Sequence, residues 1–136
     1  MNASTATASL ECDTTPSALL ALIGDPRQIP RWAPAFADTV TGGASSGWLV
    51  SKNGQTFALR VLARPEAGTV DYLREIAPGD EGGAYLRVVP RIGGGSVVVI
   101  TVPVPSGGDP AAVAETLGEE LIAMARLADS ASRRLA

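Results

Sequence analysis

DPAAVAETLGEELIAMARLADSASRRLA, residues 109–136, is the stretch on which the fold depends. Asp109 is a suitable helix N-cap, and Pro110 then takes the first helical position, where its missing N–H is not needed. Apolar residues recur from there at steps of three and four, the spacing of one helical face. They are Val113, Leu117, Leu121, Met124, Ala128, Ala131 and Leu135. The pattern predicts a helix of about 27 residues, roughly 40 Å long.

A helix of this length has to bury its apolar stripe against a large surface. Charged residues, among them Glu115, Glu119, Arg126 and Arg133, lie on its opposite side. Most of the chain before Asp109 is typical of β-strands, so the partner surface is predicted to be a sheet. A curved sheet around a long helix often encloses a cavity, and we expect one here.

The composition narrows the class of protein. A chain of 136 residues is predicted to form a single domain, 1–136. A net charge of −3 without a basic cluster argues against nucleic-acid binding. The sequence contains no histidine, which excludes histidine triads and histidine general bases and removes the commonest metal ligand. No metal site and no cofactor are predicted.

The location follows from similar considerations. Cys12 is the only cysteine, so an intramolecular disulfide is excluded, and a cytosolic compartment suits a lone thiol. No apolar run approaches the roughly 20 residues of a membrane span, and no basic-then-apolar leader is present. We expect a soluble cytoplasmic protein without membrane insertion.

The N-terminal third is predicted to contain one strand and two short helices. Ala6, Ala8, Leu10 and Cys12 alternate with polar residues, as in a strand with one buried face. Thr15-Pro16 then begins a helix, and Gly24 is predicted to end it in the left-handed conformation. Asp25-Pro26 repeats the start signal for a second short helix, which Pro30 is expected to limit.

The middle of the chain is predicted to form six further strands, which makes seven in all. The first runs from Phe36 to Val40 and is ended by Gly42-Gly43. The others are Trp48–Lys52, Gln55–Arg64, Thr69–Ile76, Ala84–Arg91 and Ser96–Val104. Asn53-Gly54 is a strong signal for a two-residue hairpin. Longer turns are predicted at residues 65–68 and 78–83.

This order of elements resembles the START-like, polyketide cyclase/dehydrase and lipid-transport (SRPBCC) superfamily. Three segments carry the resemblance: Asp25-Pro26 to Ile29-Pro30-Arg31-Trp32-Ala33-Pro34, Gly68-Thr69-Val70-Asp71-Tyr72, and Arg87-Val88-Val89-Pro90. The resemblance covers essentially the whole chain. It implies an α+β helix-grip fold, in which a seven-stranded antiparallel curved sheet surrounds the long C-terminal helix. Similar proteins include aromatic polyketide cyclases, carriers of sterols, lipids or quinones, and a chaperone co-activator type.

Turn lengths predict which side chains face the helix. If Arg64 lies near Thr69, period-two alternation places one set of side chains on the inner face. This set is Phe57, Leu59, Val61, Val70, Tyr72, Arg74, Leu86 and Val88. The other set contains Arg60, Leu62, Arg64, Asp71, Leu73, Glu75, Tyr85, Arg87 and Val89, and its opposite charges indicate a solvated outer face.

The candidate ligand-binding residues combine this inner face with the helix stripe. They are Trp32, Trp48, Phe57, Leu59, Tyr72, Arg74, Leu117, Glu120, Leu121 and Met124. Arg74 needs a compensating group when buried. That group is Glu120, solvent at the strand end, or a ligand oxygen. Trp32 and Trp48 are interpreted either as ligand walls or as core residues. Gly118, inside the helix, makes room either for a ligand or for the sheet.

Three functions remain open at this point. The first is binding or transport of a hydrophobic small molecule, such as a lipid, a quinone or a polyketide-like aromatic, in the cavity. The second is a cyclase/dehydrase-type enzyme using Tyr72, Arg74 and Glu120. The third is a protein-interaction module with a filled core.

In addition, strand 96–104 is apolar on both faces, and with Leu62, Leu73 and Val89 it suggests a homodimer. Ile100→Lys is expected to dissociate that dimer.

Overall fold

A computed structural model describes residues 4–43 and 45–135 of the 136-residue chain. The strands are β1 (Ser4–Cys12), β2 (Thr39–Gly43), β3 (Gly47–Lys52), β4 (Gln55–Arg64), β5 (Thr69–Ala77), β6 (Asp80–Pro90) and β7 (Ser96–Val104). The helices are α1 (Pro16–Ile23), α2 (Ile29–Trp32) and α3 (Pro110–Leu135). The strands form one curved antiparallel sheet in the order β1-β7-β6-β5-β4-β3-β2. The predicted helix-grip architecture is confirmed.

Helix α3 begins as its sequence predicts. The Asp109 carboxylate accepts a hydrogen bond from the Ala111 N–H at 3.0 Å, so it caps the helix. The stripe residues Leu117, Leu121, Met124 and Ala128 are at most 4% exposed. Ala131 is exposed instead of buried. The prediction for Leu135 concerns a side chain outside the described part of the structure. Among the side chains that the structure describes, the buried stripe ends at Ala128.

The strand register confirms the predicted faces. Arg64 pairs with Thr69 and Val61 with Tyr72. Asn53 (φ 52°) and Gly54 (φ 78°) form the two-residue hairpin loop, with both residues in the left-handed region that a type I′ turn needs. Outer-face side chains form the expected ion pairs, such as the 2.8 Å contact of Arg87 with Asp71. The inner face is thereby left to the core and to α3.

Two predictions about the first helices are wrong. Gly24 has φ −78°, a right-handed conformation. The next residue, Asp25, is extended: its N–H bonds to the Leu22 carbonyl at 3.2 Å, and its carboxylate caps a 3-10 turn at Pro26–Gln28. Pro30 does not limit the second helix. It lies in the first turn of α2, where a missing N–H costs nothing, and the helix runs on to Trp32.

Two strand boundaries also differ from the prediction. Phe36 belongs to a turn, because the N–H groups of Phe36 and Ala37 both bond to the Ala33 carbonyl, and β2 starts only at Thr39. The loop after β5 is only Pro78-Gly79, since Ala77 pairs with Asp80. The predicted turn at residues 78–83 is therefore mostly strand, and β6 begins four residues earlier than Ala84.

β4 pairs with different strands along its two halves. The first half of β4, Gln55–Leu59, pairs with β3, whereas its second half, Arg60–Arg64, pairs with β5. Residues 74–77 of β5 consequently extend past their pairing with β4 and are joined only to β6. Arg74 is the first residue of this segment.

Candidate functional site

A cavity of about 240 Å³ lies where α2, α3 and the inner face of the sheet meet. Its wall is formed by Ile29, Trp32, Ala33, Phe36, Tyr72, Arg74, Ile76, Gly82, Gly83, Ala84, Ile100, Val102, Pro103, Leu117 and Glu120. Ile76 is 58% exposed, so the cavity reaches the surface on that side. Most of the lining is apolar, and the polar groups are few.

Small residues in β6 make room for the cavity. Gly82 pairs with Arg74, Gly83 with Leu73, and Ala84 with Tyr72. Gly82 and Ala84 pair with the inward-facing Arg74 and Tyr72, so larger side chains at these two positions would project towards the cavity. A Cβ on Gly83 would also lie 1.7 Å from the Tyr72 carbonyl oxygen, so only glycine permits this close approach of β5 and β6.

Aromatic rings form one side of the site. The rings of Trp32 and Tyr72 are 6.0 Å apart between centroids and tilted by 36°. The turn after α2 places Phe36 edge-on to Phe57, with centroids 5.5 Å apart. Such contacts fix the positions of the rings, because both distances fall in the range of favourable aromatic pairs. The cavity therefore has a preformed aromatic wall.

Arg74 is held by an aromatic ring and not by a carboxylate. Its guanidinium carbon lies 3.7 Å from the centre of the Phe57 ring, a cation–π contact. The ion pair with Glu120, one of the three alternatives for Arg74, is not formed among the residues that the structure describes. The two side chains line the same cavity, so each is left to interact with whatever occupies it.

Buried donor groups without partners are concentrated at this cavity. Within residues 4–43 and 45–135, the buried side-chain nitrogen and oxygen atoms that lack a hydrogen bond are Trp32 Nε1, Tyr72 Oη and Arg74 Nε. All three residues line the cavity. Leaving a buried polar group unpaired costs about 1–3 kcal/mol. The indole and guanidinium N–H groups only donate, so a molecule that satisfies them must carry an acceptor oxygen or nitrogen.

The ionisable groups of the site have displaced pKa values. Burial, with a smaller effect of the neighbouring Glu119 carboxylate, raises the pKa of Glu120 to about 7. Burial, reinforced by the Asp25 carboxylate, raises the pKa of the Tyr72 phenol well above its ordinary value. Tyr72 is thus a hydrogen-bond donor throughout the neutral range, and Glu120 exchanges a proton near neutrality.

Five of the ten candidate residues line the cavity: Trp32, Tyr72, Arg74, Leu117 and Glu120. Leu121 and Met124 do not line it. They lie one and two turns further along α3 and belong to the core, not to the predicted lining.

Phe57, Leu59 and Trp48 also lie outside the cavity wall. Phe57 contacts the site indirectly, through Arg74 and Phe36. Leu59 and Trp48 face each other across β3 and β4 and line a second groove, which Arg74 also borders together with Arg60 and Glu81. The Arg27 guanidinium lies 5.6 Å from the Trp48 ring centre.

The sequence contained a signal for the missed lining residues. The predicted turn at residues 78–83 includes Gly82 and Gly83, whereas two glycines within a strand indicate close approach of a backbone or a ligand. The prediction places Phe36 in a strand, but its turn position brings it to the cavity. Among the described residues, no group of three or more potential ligands could hold a metal ion.

The family described as polyketide cyclase / dehydrase and lipid transport matches residues 4–133. The chain belongs to this family. No curated protein gives a significant sequence match. Of the helices within the described part of the chain, none has the length and apolar character needed to cross a membrane.

Solved structures share the fold of this family member. A Thermobifida fusca protein is 22% identical, with a TM-score of 0.66 over 91% of this chain and 92% of that one. A START superfamily protein from Mycobacterium smegmatis is 13% identical, with a TM-score of 0.59 over 97% and 99% of the two chains. A Staphylococcus aureus protein of unknown function is 8% identical, with a TM-score of 0.69 over 97% of each chain. At these identities the similarity concerns the START-like fold.

Proposed function

We propose that this protein binds a hydrophobic small molecule that carries an acceptor oxygen, in the cavity between the sheet and α3. One observation carries the proposal. The buried, unpartnered donors of Trp32, Tyr72 and Arg74 all lie at one mostly apolar cavity. Apolar walls with a few fixed polar groups are the usual composition of a small-molecule site.

The size of the cavity supports a ligand over a filled core. A volume of about 240 Å³ greatly exceeds the roughly 30 Å³ that a water molecule occupies in the liquid. A protein-interaction module with a filled core is therefore the less favoured function. The family description, which includes lipid transport, also supports a carrier of a lipid, quinone or polyketide-like aromatic. We further propose a cytoplasmic location, which the unpaired Cys12 thiol suits.

Native mass spectrometry of the freshly purified protein tests this function. We expect a co-purified small molecule, or uptake of one from a panel of quinones, fatty acids and aromatic ketones. Val102→Phe should abolish the adduct, since Val102 lines the cavity and a larger side chain would fill it. Val99→Phe is the matched control, because Val99 lies on the same strand and pairs with outer-face Arg87. Equal adducts in both variants would place binding elsewhere, and no uptake in the wild type would refute the proposal.

A cyclase/dehydrase-type enzyme is the second candidate. It is favoured by one arrangement, in which a carboxyl with a pKa of about 7, Glu120, shares the cavity with a protonated donor, Tyr72. A group that titrates near neutrality is suited to general acid–base catalysis. A carrier returns its ligand unchanged, whereas cyclisation with dehydration removes one water from it. Mass analysis of a poly-β-ketone ligand after incubation with wild type and Glu120→Gln distinguishes the two functions.

A further inference from the structure

The cavity wall contains a positive charge that forms no ion pair within the described part of the chain. Arg74, which also borders the second groove, and Glu120 are the only charged side chains among the described residues that line the cavity. Arginine stays protonated at every physiological pH. Arg74 has no carboxylate partner in the described chain, and its buried Nε lacks a hydrogen bond. An anion at the cavity would supply both the missing acceptor and the missing charge.

Glu120 does not cancel this charge. It forms no ion pair with Arg74, although both residues line the same space. Burial keeps a large fraction of Glu120 protonated near neutral pH, with a pKa of about 7. In that state the cavity wall carries one net positive charge, which favours an occupant with one negative charge.

The stacking of Arg74 on Phe57 prepares the arginine for such an anion. The ring holds the guanidinium carbon at 3.7 Å and covers one flat face. The N–H groups of a guanidinium project from the edge of its plane, where a carboxylate accepts two parallel bonds. Holding the plane in advance reduces the entropy lost on binding. Tyr72 and Trp32, each 3% exposed, add two further donors to the same cavity.

The volume and the wall limit the apolar part of the ligand. An apolar cavity of about 150 Å³ is known to bind benzene. The present cavity, at about 240 Å³, is roughly half as large again, which suits two fused rings. The rings of Trp32, Phe36 and Tyr72 in its wall favour an aromatic occupant.

We propose that this cavity is a site for bicyclic aromatic monocarboxylates, in which Arg74 binds the carboxylate and selects it over neutral analogues. This inference rests on the proposed function, because it names the class of ligand that the same cavity takes. It makes Arg74 the specificity-determining residue, whereas Phe57 is a positioning residue that acts through Arg74.

Calorimetric titration of the wild type with two matched probes tests the inference without any variant. The probes are 2-naphthoate and its methyl ester, which have the same rings and differ in charge. At about pH 6 the acid is ionised while Glu120 is mostly protonated. We expect 2-naphthoate to bind at least about tenfold more tightly than the ester.

Variants then assign the preference to Arg74. In Arg74→Gln, 2-naphthoate should bind about tenfold more weakly, while the affinity for the ester should change by no more than about twofold. Arg74→Lys should recover part of the preference, since it retains the charge and loses the planar fork. Arg64→Gln is the matched control, because Arg64 is an exposed arginine on the outer face, and it should behave as wild type.

The outcomes separate this inference from the function it rests on. If the ester binds the wild type as tightly as the acid, the cavity binds apolar molecules and the selection of anions is wrong. The same conclusion follows if Arg74→Gln retains the full preference. If neither probe binds, while a longer fatty acid or quinone forms an adduct that Val102→Phe abolishes, the bicyclic class is wrong and the proposed function stands. Absence of any adduct refutes both.

Discussion

Tyr72 packs its ring against Trp32 and buries its hydroxyl without a partner. In the unliganded protein this hydroxyl is a cost, because an unpaired buried polar group destabilises by about 1–3 kcal/mol. We therefore expect Tyr72→Phe to raise the free energy of unfolding by about 1 kcal/mol in urea denaturation. The same variant should bind an acceptor-bearing ligand more weakly. A variant that is less stable than the wild type would show that the hydroxyl already has a partner.

Glu120 links stability to pH with a definite sign. Its pKa is about 7 in the folded protein and 4.5 in the absence of burial. Both states are protonated below about pH 4.5, so its stabilising contribution is complete there and is lost as the pH rises through about 7. The free energy of unfolding should accordingly fall between pH 5 and pH 8, by about 1–3 kcal/mol.

Urea denaturation of Glu120→Gln at several pH values checks this linkage. The variant should lose the fall in stability, because glutamine does not titrate. Glu115→Gln is the control, since Glu115 is an exposed carboxylate on the same helix. Two other charged groups lie near Glu120. They are the Glu119 carboxylate, which contributes to the raised pKa, and Arg74, which lines the same cavity. Parallel pH profiles for wild type and Glu120→Gln would contradict the displaced pKa.

At the scale of the secondary-structure element, Gly118 lowers the stability of α3, and no contact in the structure requires glycine there. A Cβ built on it would have no neighbouring atom within 4 Å, so neither the sheet nor another side chain requires glycine there. Gly118 does not line the cavity either. Gly118→Ala should stabilise the protein by about 0.5–1 kcal/mol, since alanine is the better helix former.

Thermal and urea denaturation measure this effect. Ala125→Gly, at another half-buried position of α3, should destabilise by a similar amount and serves as the reverse control. A loss of stability in Gly118→Ala would mean that α3 needs glycine for a closer contact than the structure contains.

The elements that the sequence predicts well are those with strong local signals. Three features appear as expected: the capping by Asp109, the stripe through Leu117 and Met124, and the Asn53-Gly54 turn. Each depends on residues that are close together in the sequence. The conformation of Gly24 depends instead on what the chain does next. Asp25-Pro26 correctly signalled that a new helical turn begins there, but the local pattern did not show that Gly24 reaches this turn in a right-handed conformation.

Residues of the site could be predicted only where the pattern of a single strand or helix determined their position. Alternation along β5 placed Tyr72 and Arg74 inward, and the edge of the α3 stripe gave Glu120. The absence of an Arg74–Glu120 pair depends on the distance between β5 and α3, which the sequence pattern does not contain. The cavity wall could not be predicted for the same reason. The role of Gly82 and Gly83 depends on their pairing with β5, which the sequence of β6 alone does not show.

At the scale of the whole molecule, the homodimer predicted from β7 remains untested. The apolar surface is smaller than the sequence suggested, because Leu73 is 8% exposed. Ile100 is 1% exposed and lines the cavity, so Ile100→Lys would damage the core and does not probe an interface. Val97 and Val99 are outward-facing apolar residues of β7, opposite Val89 and Arg87.

Sedimentation at micromolar concentration tests the dimer. If the wild type is a dimer through this face, Val99→Lys should yield a folded monomer, because a charged side chain would enter the interface. A wild-type monomer would rule the dimer out, and a dimer that persists in Val99→Lys would place the interface on another surface.

The two tryptophans allow the most direct test of the cavity as a ligand site. Trp32 has a buried, unpartnered indole N–H at the cavity, whereas Trp48 lies outside it. Each indole gives its own signal in an ¹⁵N–¹H NMR spectrum, and Trp48→Phe assigns them. On titration with 2-naphthoate, the Trp32 signal should shift as its N–H gains an acceptor, and the Trp48 signal should stay nearly unchanged. Binding that leaves the Trp32 signal in place, or that shifts only the Trp48 signal, would contradict a ligand in this cavity.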